Sequence, residues 1–480
     1  MRFTPEEIAA VTGGSICNGV QDQSTCTSFT WDSRHVEAGT LYIAISGQRV
    51  DGHTFCLSAA QAGAVACLVE HRLPEAEEAQ IAQAGAALVL VPNVQAAFTQ
   101  LAAAWREKLQ GTVIAVTGSS GKTTTKNLVR DVLSAHGSTV ATQGNQNNEL
   151  GVPATVLRAD VDTKFVVVEM GMRGLGELQE LCTFVKPHWA LVTNVGESHI
   201  ELLGSRDGIA HAKAEALFAV PEGGLAFVNS SDDYAVQLAE YGQVNEHGAT
   251  LVHFDGSGCA PEDRPESLRP SVWASDIQVA DNGCASFVLH TPAGSAPCSL
   301  AMPGVHNVHN ACAAAACGVS AGMDPALITR VLGEARAQTG RQNVITAPSG
   351  VIVIDDAYNA NPDSMRASLT SFAAMRTQGS RVAVLGDMGE LGSFAEDGHR
   401  RVGKLAAQAG LDRLICVGPL ARIIAQSAAE EGLAESAISC VDDAASALAQ
   451  LEGSLHEGDA VLVKASHSVG LEVVVEGLVS

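Results

Sequence analysis

Long apolar runs, paired cysteines and a surplus of basic residues are all missing from this sequence. No segment approaches the ~18 consecutive apolar residues of a membrane-spanning helix, so we expect no membrane insertion. The N-terminal segment lacks the apolar core of a secretory signal, which predicts a cytoplasmic protein. The twelve cysteines lie singly between Cys17 and Cys440, with no Cys-x-x-Cys pair. This scatter argues against a structural zinc site and against a disulfide framework.

Positive charge is scarce along the chain. There are 29 lysine and arginine residues against 53 aspartate and glutamate residues, which gives a formal net charge of −24. We expect no nucleic-acid partner, because general nucleic-acid binding depends on neutralising phosphates with Lys and Arg side chains. An anionic ligand would therefore need local help from helix N-termini, a few cations or a metal ion.

The length of 480 residues is too great for a single core, because domains usually span ~100–200 residues. Changes in hydrophobic pattern predict an α/β protein of three domains. These are a small α/β N-terminal domain at residues 1–108, a central P-loop domain with a parallel sheet at 109–335, and a C-terminal Rossmann-like domain at 336–480.

Short apolar runs predict the strands of each domain. Those of the N-terminal domain are Leu41–Ile45, Ala64–Glu70 and Ala86–Val91, before a helix at about Val94–Leu109. Continuous runs typical of a buried parallel sheet are Thr112–Val116, Phe165–Val168, Ala190–Val192 and Leu225–Val228. The predicted strands of the C-terminal domain are Val351–Ile354, Arg381–Leu385, Leu414–Val417, Ile438–Val441 and Ala460–Val463.

A polar excursion rich in Pro and Gly covers residues 256–300. Within it, Asn282-Gly283 lies between the apolar runs Ile277–Ala280 and Ala285–Leu289. An Asn-Gly pair flanked in this way is a strong hairpin signal. We therefore predict one β-hairpin inside the excursion.

Residues 112–125 read TVIAVTGSSGKTTT: a strand, a Gly-rich turn, a lysine, hydroxyl side chains and then a helix. In such a loop, backbone N–H groups and the helix N-terminus surround phosphates, the lysine reaches the β- and γ-phosphates, and the next threonine binds Mg²⁺. The match is to a variant, because the strict Walker pattern needs glycine where this chain has Val116. The alternative is an ordinary Gly-rich turn. The predicted ATP-binding residues are Thr117, Gly118, Ser119, Ser120, Gly121, Lys122, Thr123 and Thr124.

Two candidate metal ligands follow predicted core strands. Glu169 ends one strand, at the edge where α/β sheets usually bind ligands, and His199 lies five residues beyond Asn194, which ends another. Together they predict a Mg²⁺ site, since Mg²⁺ prefers oxygen and takes one or two carboxylates. Taken singly, Glu169 fits a capping or solvated residue, and His199 fits a surface or core histidine. Lys213, in a helical stretch, fits a solvated lysine.

A series of short blocks in a fixed order resembles the Mur ligase family over essentially the whole chain. The blocks are Thr117–Thr124, Asn145–Pro153, Glu169, Thr193-Asn194 with His199, Lys213, Gly304–Asn310, Gly340-Arg341 and Asp355-Asp356. Further blocks resemble the branch of the family that adds D-alanyl-D-alanine: Asp32–Val36, Gly47 with Asp51–Phe55, Asp355–Met365 and Leu385–Gly392. Many ordered blocks are far more specific than any one of them.

The resemblance implies roles for the matching residues. Thr123, Glu169 and His199 would position Mg²⁺, and Lys213 would be carbamylated by CO₂ to give a carboxylate-like metal ligand. The implied catalytic residues are Lys122, Glu169, His199, Lys213 and Arg341. Beyond the loop, the implied ATP contacts are Asn307 and Asn310 on the adenine side, Arg341 on the phosphates and Asp356 on the ribose. The implied substrate contacts are Ser33, Arg34, Gly47, His53, Asn147, Asn148, Asn359, Asn361 and Lys464.

Simpler explanations stay open for five of these residues. Asn307 and Asn310 begin an Ala-rich helix, and helix N-termini favour Asn for capping. Arg341 could be an interdomain ion-pair partner. Asn359 and Asn361 lie in a turn-prone Asn/Pro loop that needs no ligand to explain it.

The implied reaction joins D-alanyl-D-alanine to a UDP-N-acetylmuramoyl tripeptide through an acyl phosphate, releasing ADP and phosphate. The family expectation is a monomer. Alternatives are another Mur-type ligase, one resembling folylpolyglutamate synthase, and a non-catalytic nucleotide-gated scaffold. The intact loop lysine and metal-ligand candidates argue against the scaffold. One departure is that Ala465 and His467 replace the Gly and Arg more often found in the family, which weakens position 467 as a permanent cation.

Overall fold

A computed structural model describes residues 1–20, 24–47 and 50–480 of the chain. The strands in these ranges are β1 (Ser15–Ile16), β2 (Ser28–Thr30), β3 (Thr40–Ile43), β4 (Ala64–Val69), β5 (Ala87–Leu90), β6 (Thr112–Thr117), β7 (Thr139–Ala141), β8 (Phe165–Glu169), β9 (Trp189–Val192), β10 (Leu225–Asn229), β11 (Thr250–Asp255), β12 (Val272–Val279), β13 (Cys284–Thr291), β14 (Gly294–Pro303), β15 (Asn343–Thr346), β16 (Ile352–Asp355), β17 (Arg381–Gly386), β18 (Arg413–Val417), β19 (Ile438–Val441) and β20 (Ala460–Lys464).

The α-helices in the described ranges are α1 (Pro5–Thr12), α2 (Cys56–Gln61), α3 (Glu75–Gln83), α4 (Val94–Arg106), α5 (Lys122–Ser134), α6 (Gly151–Arg158), α7 (Glu177–Val185), α8 (Ile200–Leu203), α9 (Arg206–Phe218), α10 (Ala235–Tyr241), α11 (Asn307–Ser320), α12 (Pro325–Glu334), α13 (Pro362–Ala374), α14 (Ala395–Gln408), α15 (Ala421–Glu430), α16 (Ala444–Leu451) and α17 (Glu472–Val479). None of the helices described has both the length and the apolar character needed to cross a membrane.

The chain divides into two compact units, each made of several segments. Unit 1 comprises Met1–Ala115, Gly137–Gly171 and Gln179–His188. Unit 2 comprises Val116–His136, Met172–Leu178 and Trp189–Ser480.

Unit 1 contains a five-stranded sheet in the order β1-β5-β4-β3-β2. Strands β2 to β5 run parallel, and β1 pairs antiparallel with β5. Strands β3 and β4 are almost wholly buried, as expected of a parallel sheet covered on both faces. Helix α4 begins where the Asn93 side chain accepts a hydrogen bond from the Ala96 N–H, and it buries Phe98, Leu101 and Trp105 at helical spacing. Strands β7 and β8, also in unit 1, run parallel.

Unit 2 contains the sheet that carries the phosphate loop. Its strands follow the order β14-β13-β12-β11-β10-β9. Strands β9 to β12 are parallel, whereas β12, β13 and β14 pair antiparallel. The end of β6 lies beside the end of β9, because the Thr193 N–H donates to the Thr117 carbonyl at 3.0 Å. The C-terminal ends of these strands therefore place loop residues along one edge.

A second sheet of unit 2 has the order β15-β16-β20-β17-β18-β19. All neighbours except the antiparallel pair β15 and β16 run parallel. Its strands bury Val353, Val384, Ile415 and Val463 in one apolar core. Short apolar strands joined by helices produce this open, mostly parallel sheet.

The predicted three-domain α/β architecture is confirmed, and its borders at residues 108 and 335 remain a prediction. The strands predicted from apolar runs are all present, and the hairpin with Asn282-Gly283 in its turn joins β12 to β13. The 256–300 excursion was incompletely predicted, since its strands extend the sheet and β14 was not foreseen. Strand β14 buries only alternate residues for most of its length and so lacks a continuous apolar run.

Candidate active site

The predicted phosphate loop connects the end of β6 to the start of α5 in unit 2. Gly118 has φ +149° and Gly121 has φ +75°, values that L side chains rarely adopt. A Cβ on Gly118 would lie 1.8 Å from the Thr193 Oγ1, so only glycine fits there. The tight turn leaves the first N–H groups of α5 facing the loop, where an anion is favoured.

Residues at the end of β9 hold this loop in shape. The Thr193 hydroxyl donates to the Ser120 carbonyl at 2.7 Å. The Asn194 side-chain carbonyl accepts from the Ser120 N–H at 3.0 Å, and its main-chain carbonyl accepts from the Ser119 N–H at 3.0 Å. These bonds preorganise the loop before any ligand arrives, which lowers the cost of binding.

Two hydroxyl groups of the loop are left for a ligand. The Thr117 Oγ1 and the Ser119 Oγ are buried and have no hydrogen-bond partner within the described part of the chain. Buried polar atoms without a partner are uncommon, and each costs about 1–3 kcal/mol. Phosphate oxygens are acceptors that would satisfy both hydroxyls.

Lys122, the first residue of α5, donates from Nζ to the Gly118 carbonyl at 2.8 Å. The ammonium group therefore lies over the loop, where a lysine of a phosphate loop is expected. Its positive charge also lowers the pKa of Lys213 by repulsion.

Lys213 lies on α9 and is fully buried. Burial is the largest cause of a pKa well below the ordinary lysine value, Lys122 adds to the shift, and the carboxylate of Asp232 opposes it. The prediction from residue type alone, a solvated lysine, is wrong. A depressed pKa enlarges the unprotonated, nucleophilic fraction of a lysine amine at a given pH.

Asp232 was missed by sequence reasoning. Its carboxylate accepts from the Val195 N–H at 2.7 Å and from the Tyr234 N–H at 2.9 Å. Burial raises the pKa of Asp232 despite these bonds. Its position shortly after β10 (Leu225–Asn229), at the edge that carries the loop, was the available signal.

Arg341 reaches the phosphate loop from the predicted C-terminal domain. Its Nη2 donates to the Thr123 Oγ1 at 3.4 Å, and its guanidinium lies 3.8 Å from the centre of the Tyr358 ring. Tyr358 also stacks on His467, with ring centres 6.0 Å apart and planes at 26°. Arg341, which was predicted to contact the phosphates, therefore packs on the ring of Tyr358, a contact that sequence reasoning did not identify.

His199 contacts a second residue that sequence reasoning did not assign. It adopts φ +64°, and its Nδ1 lies 2.6 Å from the Glu390 Oε2, on a residue with φ +60°. This contact with His199 is the largest cause that lowers the pKa of Glu390. A carboxylate on one ring nitrogen orients the imidazole and leaves the other nitrogen for a ligand. Glu390 follows β17, at the ligand-binding edge of its sheet.

More contacts join the predicted central and C-terminal domains within unit 2. Arg401 pairs with Glu197 at 3.1 Å. Asn361 caps α13 and donates to the Ser198 Oγ at 2.5 Å, and the Ser198 hydroxyl donates to the Ser119 carbonyl at 2.9 Å. Asn361 therefore serves as a helix cap and also connects to the phosphate loop.

The remaining predicted nucleotide contacts make internal hydrogen bonds. Asn307 does not cap its own helix; its amide donates to the Pro303 carbonyl at 2.7 Å. Asn310 donates to the Asn307 side chain at 2.8 Å and accepts from the Thr125 hydroxyl at 3.0 Å. Its Oδ1 lies 2.8 Å from the place a Cβ on Gly121 would occupy, so Asn310 packs against the loop.

Asp356 and Lys464 form a buried ion pair, with 2.8 Å between Nζ and Oδ2. Lys464 also donates to the Asn359 carbonyl at 2.9 Å. Burial lowers the pKa of Lys464, and the charge of Asp356 opposes this shift. The pair fixes the loop before α13; the predicted ligand contacts of Asp356, Asn359 and Lys464 stay predictions.

In unit 1, Glu169 ends β8 and is fully buried. Its Oε1 accepts from the Asn147 amide at 2.8 Å, and its N–H donates to the Thr142 hydroxyl at 2.9 Å. Asn148 accepts from the Gly151 N–H at 3.0 Å and so stabilises the start of α6. The predicted metal role of Glu169 and the predicted substrate roles of Asn147 and Asn148 stay predictions.

The predicted UDP-sugar residues lie at the start of unit 1. Arg34 is mostly exposed and pairs with Asp32 at 2.6 Å, which lowers the pKa of Asp32. His53 is buried, with Nδ1 at 2.7 Å from Asp51 and Nε2 accepting from the Glu70 N–H at 2.9 Å. Both ring nitrogens of His53 thus hold the loop.

Two other residues predicted for the UDP-sugar lie close by. Ser33 begins a short 3₁₀ turn, and the Gly47 N–H donates to the Val50 carbonyl at 2.9 Å. Direct ligand contacts of these residues, and of Arg34 and His53, remain predictions.

The sheet of unit 2, its glycine-dependent turn and the two unsatisfied hydroxyls define an α/β protein with a phosphate-binding loop. Three family models match it: "Mur ligase family, catalytic domain" at residues 26–106, "Mur ligase middle domain" at 116–318 and "Mur ligase, glutamate ligase domain" at 340–467.

Individual relatives match over nearly the full length. A Bacillus subtilis (strain 168) protein named UDP-N-acetylmuramoyl-tripeptide--D-alanyl-D-alanine ligase is 33% identical, covering 100% of this chain and 99% of the relative. MurF from Acinetobacter baumannii has a TM-score of 0.84 at 31% identity, covering 100% of this chain and 99% of that one. MurF ligase from Thermotoga maritima, in complex with ADP, has a TM-score of 0.75 at 26% identity, covering 94% of this chain and 96% of that one. The chain belongs to the Mur ligase family.

Proposed function

We propose that this protein is an ATP-dependent ligase that joins D-alanyl-D-alanine to the terminal carboxyl group of a UDP-N-acetylmuramoyl tripeptide. The observation that carries this function is the phosphate loop with its partnerless Thr117 and Ser119 hydroxyls, in a chain similar throughout to ligases named for that reaction. The reaction supplies a precursor of peptidoglycan.

ATP is the proposed energy source. The loop, the N-terminus of α5 and Lys122 would bind the phosphates, and Arg341 would reach them from the predicted C-terminal domain. These local groups offset a chain charge of −24, which would otherwise repel an anionic nucleotide. The solved MurF ligase from Thermotoga maritima is in complex with ADP, which supports the use of an adenine nucleotide.

The donors present fit a magnesium ion. The Thr123 hydroxyl lies in the loop, and Glu169 supplies a buried strand-end carboxylate. Such oxygen donors, with phosphate oxygens, are what Mg²⁺ prefers. When bound, the ion would neutralise charge developing on the transferred phosphoryl group. Thr123 and a His199 oriented by Glu390 are the residues of unit 2 that we propose to hold it, and the metal role of Glu169, in unit 1, stays the prediction made from the sequence.

We further propose that Lys213 reacts with CO₂ to form a carbamate. The amine attacks the carbon of CO₂, one C–N bond forms, and the proton leaves to solvent, giving an anionic side chain. The depressed pKa of buried Lys213 supports this step, because only the unprotonated amine is nucleophilic. The carbamate would place a negative charge beside Lys122.

The chemistry proceeds in two steps. The tripeptide carboxylate attacks the γ-phosphate of ATP, which gives an acyl phosphate and ADP. The dipeptide amine then attacks the acyl carbon, and the tetrahedral intermediate expels phosphate as the amide forms. Lys122 and Arg341 align the phosphates and balance their charge, as phosphoryl transfer requires. The contacts of Arg341, Asn361 and Arg401 close the predicted C-terminal domain over the loop and would exclude water.

The direct test measures phosphate release from ATP and Mg²⁺ with both proposed substrates. We expect release only when the UDP-N-acetylmuramoyl tripeptide and D-alanyl-D-alanine are both present, with one amide product formed per ATP consumed. Omitting the dipeptide, or replacing it with glutamate, should stop turnover. Equal turnover with glutamate would favour a ligase resembling folylpolyglutamate synthase, and binding of ATP without product would favour the scaffold.

A second prediction concerns Tyr358 as a positioning residue for Arg341. Tyr358→Leu removes the ring 3.8 Å from the guanidinium, a contact worth about 0.5–2 kcal/mol. We expect kcat/KM for ATP to fall by roughly 2- to 30-fold, mainly through KM. Tyr358→Phe should restore the wild-type value because the ring face remains.

Tyr241→Leu is the matched control, since Tyr241 stacks on His211 and donates to Asp207 far along the chain from Arg341. Steady-state kinetics at varied ATP separate KM from kcat. A loss in the Phe variant as large as in the Leu variant would contradict the stacking role.

A further inference from the structure

Cys416 and Cys440 are register partners on neighbouring parallel strands, β18 and β19. Their side chains therefore emerge on the same face of the sheet, directly beside each other. The pair is separated by 23 residues in the sequence and has no Cys-x-x-Cys spacing, so only strand pairing brings it together.

The two thiols differ in environment. Cys416 is fully buried, whereas Cys440 is exposed at the edge strand of the sheet. The neighbouring Cys416 thiol is the largest cause that lowers the pKa of Cys440 to about 6; partial burial opposes it and the charge of Arg422 adds to it. The same contact, with burial and the carboxylate of Asp387, raises the pKa of Cys416.

Neighbouring strands in a sheet lie ~4.7–4.9 Å apart, within the ~4.4–6.8 Å between Cα atoms that a disulfide spans. An exposed thiolate beside a second thiol that can resolve it is the arrangement of a redox-reactive site. Buried cysteines elsewhere, such as Cys312 and Cys317, have raised pKa values and no exposed partner of this kind.

We propose that Cys440 and Cys416 form a hydroperoxide-reactive dithiol, with Cys440 as the attacked residue and Cys416 as the resolving thiol. The Cys440 thiolate attacks one peroxide oxygen, the O–O bond breaks, and hydroxide or alkoxide leaves, giving a sulfenic acid. The Cys416 sulfur then attacks the Cys440 sulfur, and the S–O bond breaks. Water leaves and a disulfide joins β18 to β19. Two thiols are oxidised and one hydroperoxide is reduced to water or an alcohol.

The test uses the reduced full-length protein, with hydrogen peroxide as the probe and peptide mass spectrometry as the readout. In the wild type we expect the mass to fall by two hydrogens, and we expect a peptide in which a disulfide links Cys416 to Cys440. In Cys416→Ala, Cys440 should instead stop at sulfenic acid, trapped by a 1,3-dicarbonyl reagent. In Cys440→Ser, Cys416 should stay reduced. Absence of the linked peptide from the wild-type protein would overturn the dithiol, whether or not either variant folds.

Cys259 is the matched control, because it is the other exposed cysteine among the twelve. A thiol of low pKa is ionised to a greater extent in mild acid than an ordinary thiol, but its thiolate is a weaker nucleophile. The difference in labelling rate between Cys440 and Cys259 is therefore largest in mild acid. At about pH 6 we expect iodoacetamide to label Cys440 roughly 10-fold faster than Cys259, after both effects are combined. Equal labelling rates would contradict the assigned role of Cys440. None of these readouts depends on ligase activity.

Discussion

Lys122→Ala is expected to lower ATP-dependent turnover by on the order of 100- to 1000-fold, the usual cost of removing one preorganised donor to transition-state charge. Lys122 is the cation at the first position of α5, and its Nζ already lies 2.8 Å from the loop carbonyl of Gly118. Because the chain has a net charge of −24, few other cations are available to take over the charge of Lys122. Phosphate release with all substrates present measures the loss.

The matched control is Lys404→Ala, on α14, where the lysine is half-exposed and pairs with Glu431 at 3.0 Å. We expect that variant to keep wild-type turnover, since an exposed pair of this kind contributes only ~0–1 kcal/mol to stability. Thermal unfolding establishes that both variants are folded. Turnover of the Lys122 variant within about 10-fold of the wild type would refute the phosphate-binding role.

Lys213→Ala should also abolish most turnover, and short carboxylic acids should restore part of it. Lys213 is fully buried, so truncation leaves a cavity, and a small carboxylate that enters it would replace the negative charge of the proposed carbamate. We expect acetate or propionate to raise the activity of the variant in a saturable manner. Full activity without added acid would refute the carbamate.

Lys213→Met separates the lost charge from the lost volume. Its side chain fills most of the space, so we expect the same loss of turnover with no rescue by carboxylic acids. A readout independent of catalysis is the carbamate itself: the wild type in isotopically labelled bicarbonate should show a carbamate carbon by NMR, and both variants should lack it. A wild-type spectrum without that signal would exclude the modification under those conditions.

Much of the fold follows from patterns a few residues long. The continuous apolar runs predict strands such as β6, β8 and β20 because a strand buried on both faces must be apolar throughout. Residues 117–124 predict a phosphate loop because such a loop requires glycine, lysine and threonine in consecutive positions to contact phosphates and Mg²⁺. Strand β14 escaped prediction because only every second residue is buried for most of its length.

The candidate site was predicted less completely than the fold. Position after a predicted strand singled out His199, and the family resemblance singled out Arg341. Their partners Glu390 and Tyr358 lie 191 and 17 residues away along the chain. The Cys416–Cys440 pair likewise gives no local signal, because only strand pairing brings the two residues together. No short-range pattern reports a contact made by two distant segments.

By itself, the sequence determined the three-domain α/β plan, the phosphate loop and the acidic character that makes local cations necessary. Only the tertiary structure decided the direction in which the pKa values of its key groups shift. Lys213 looks like a solvated helix lysine until burial beside Lys122 lowers its pKa, and Cys440 looks ordinary until strand pairing brings the Cys416 thiol to it. Local structure follows from the chemistry of adjacent residues, whereas a pKa depends on the solvent and charges that the whole fold brings to one point.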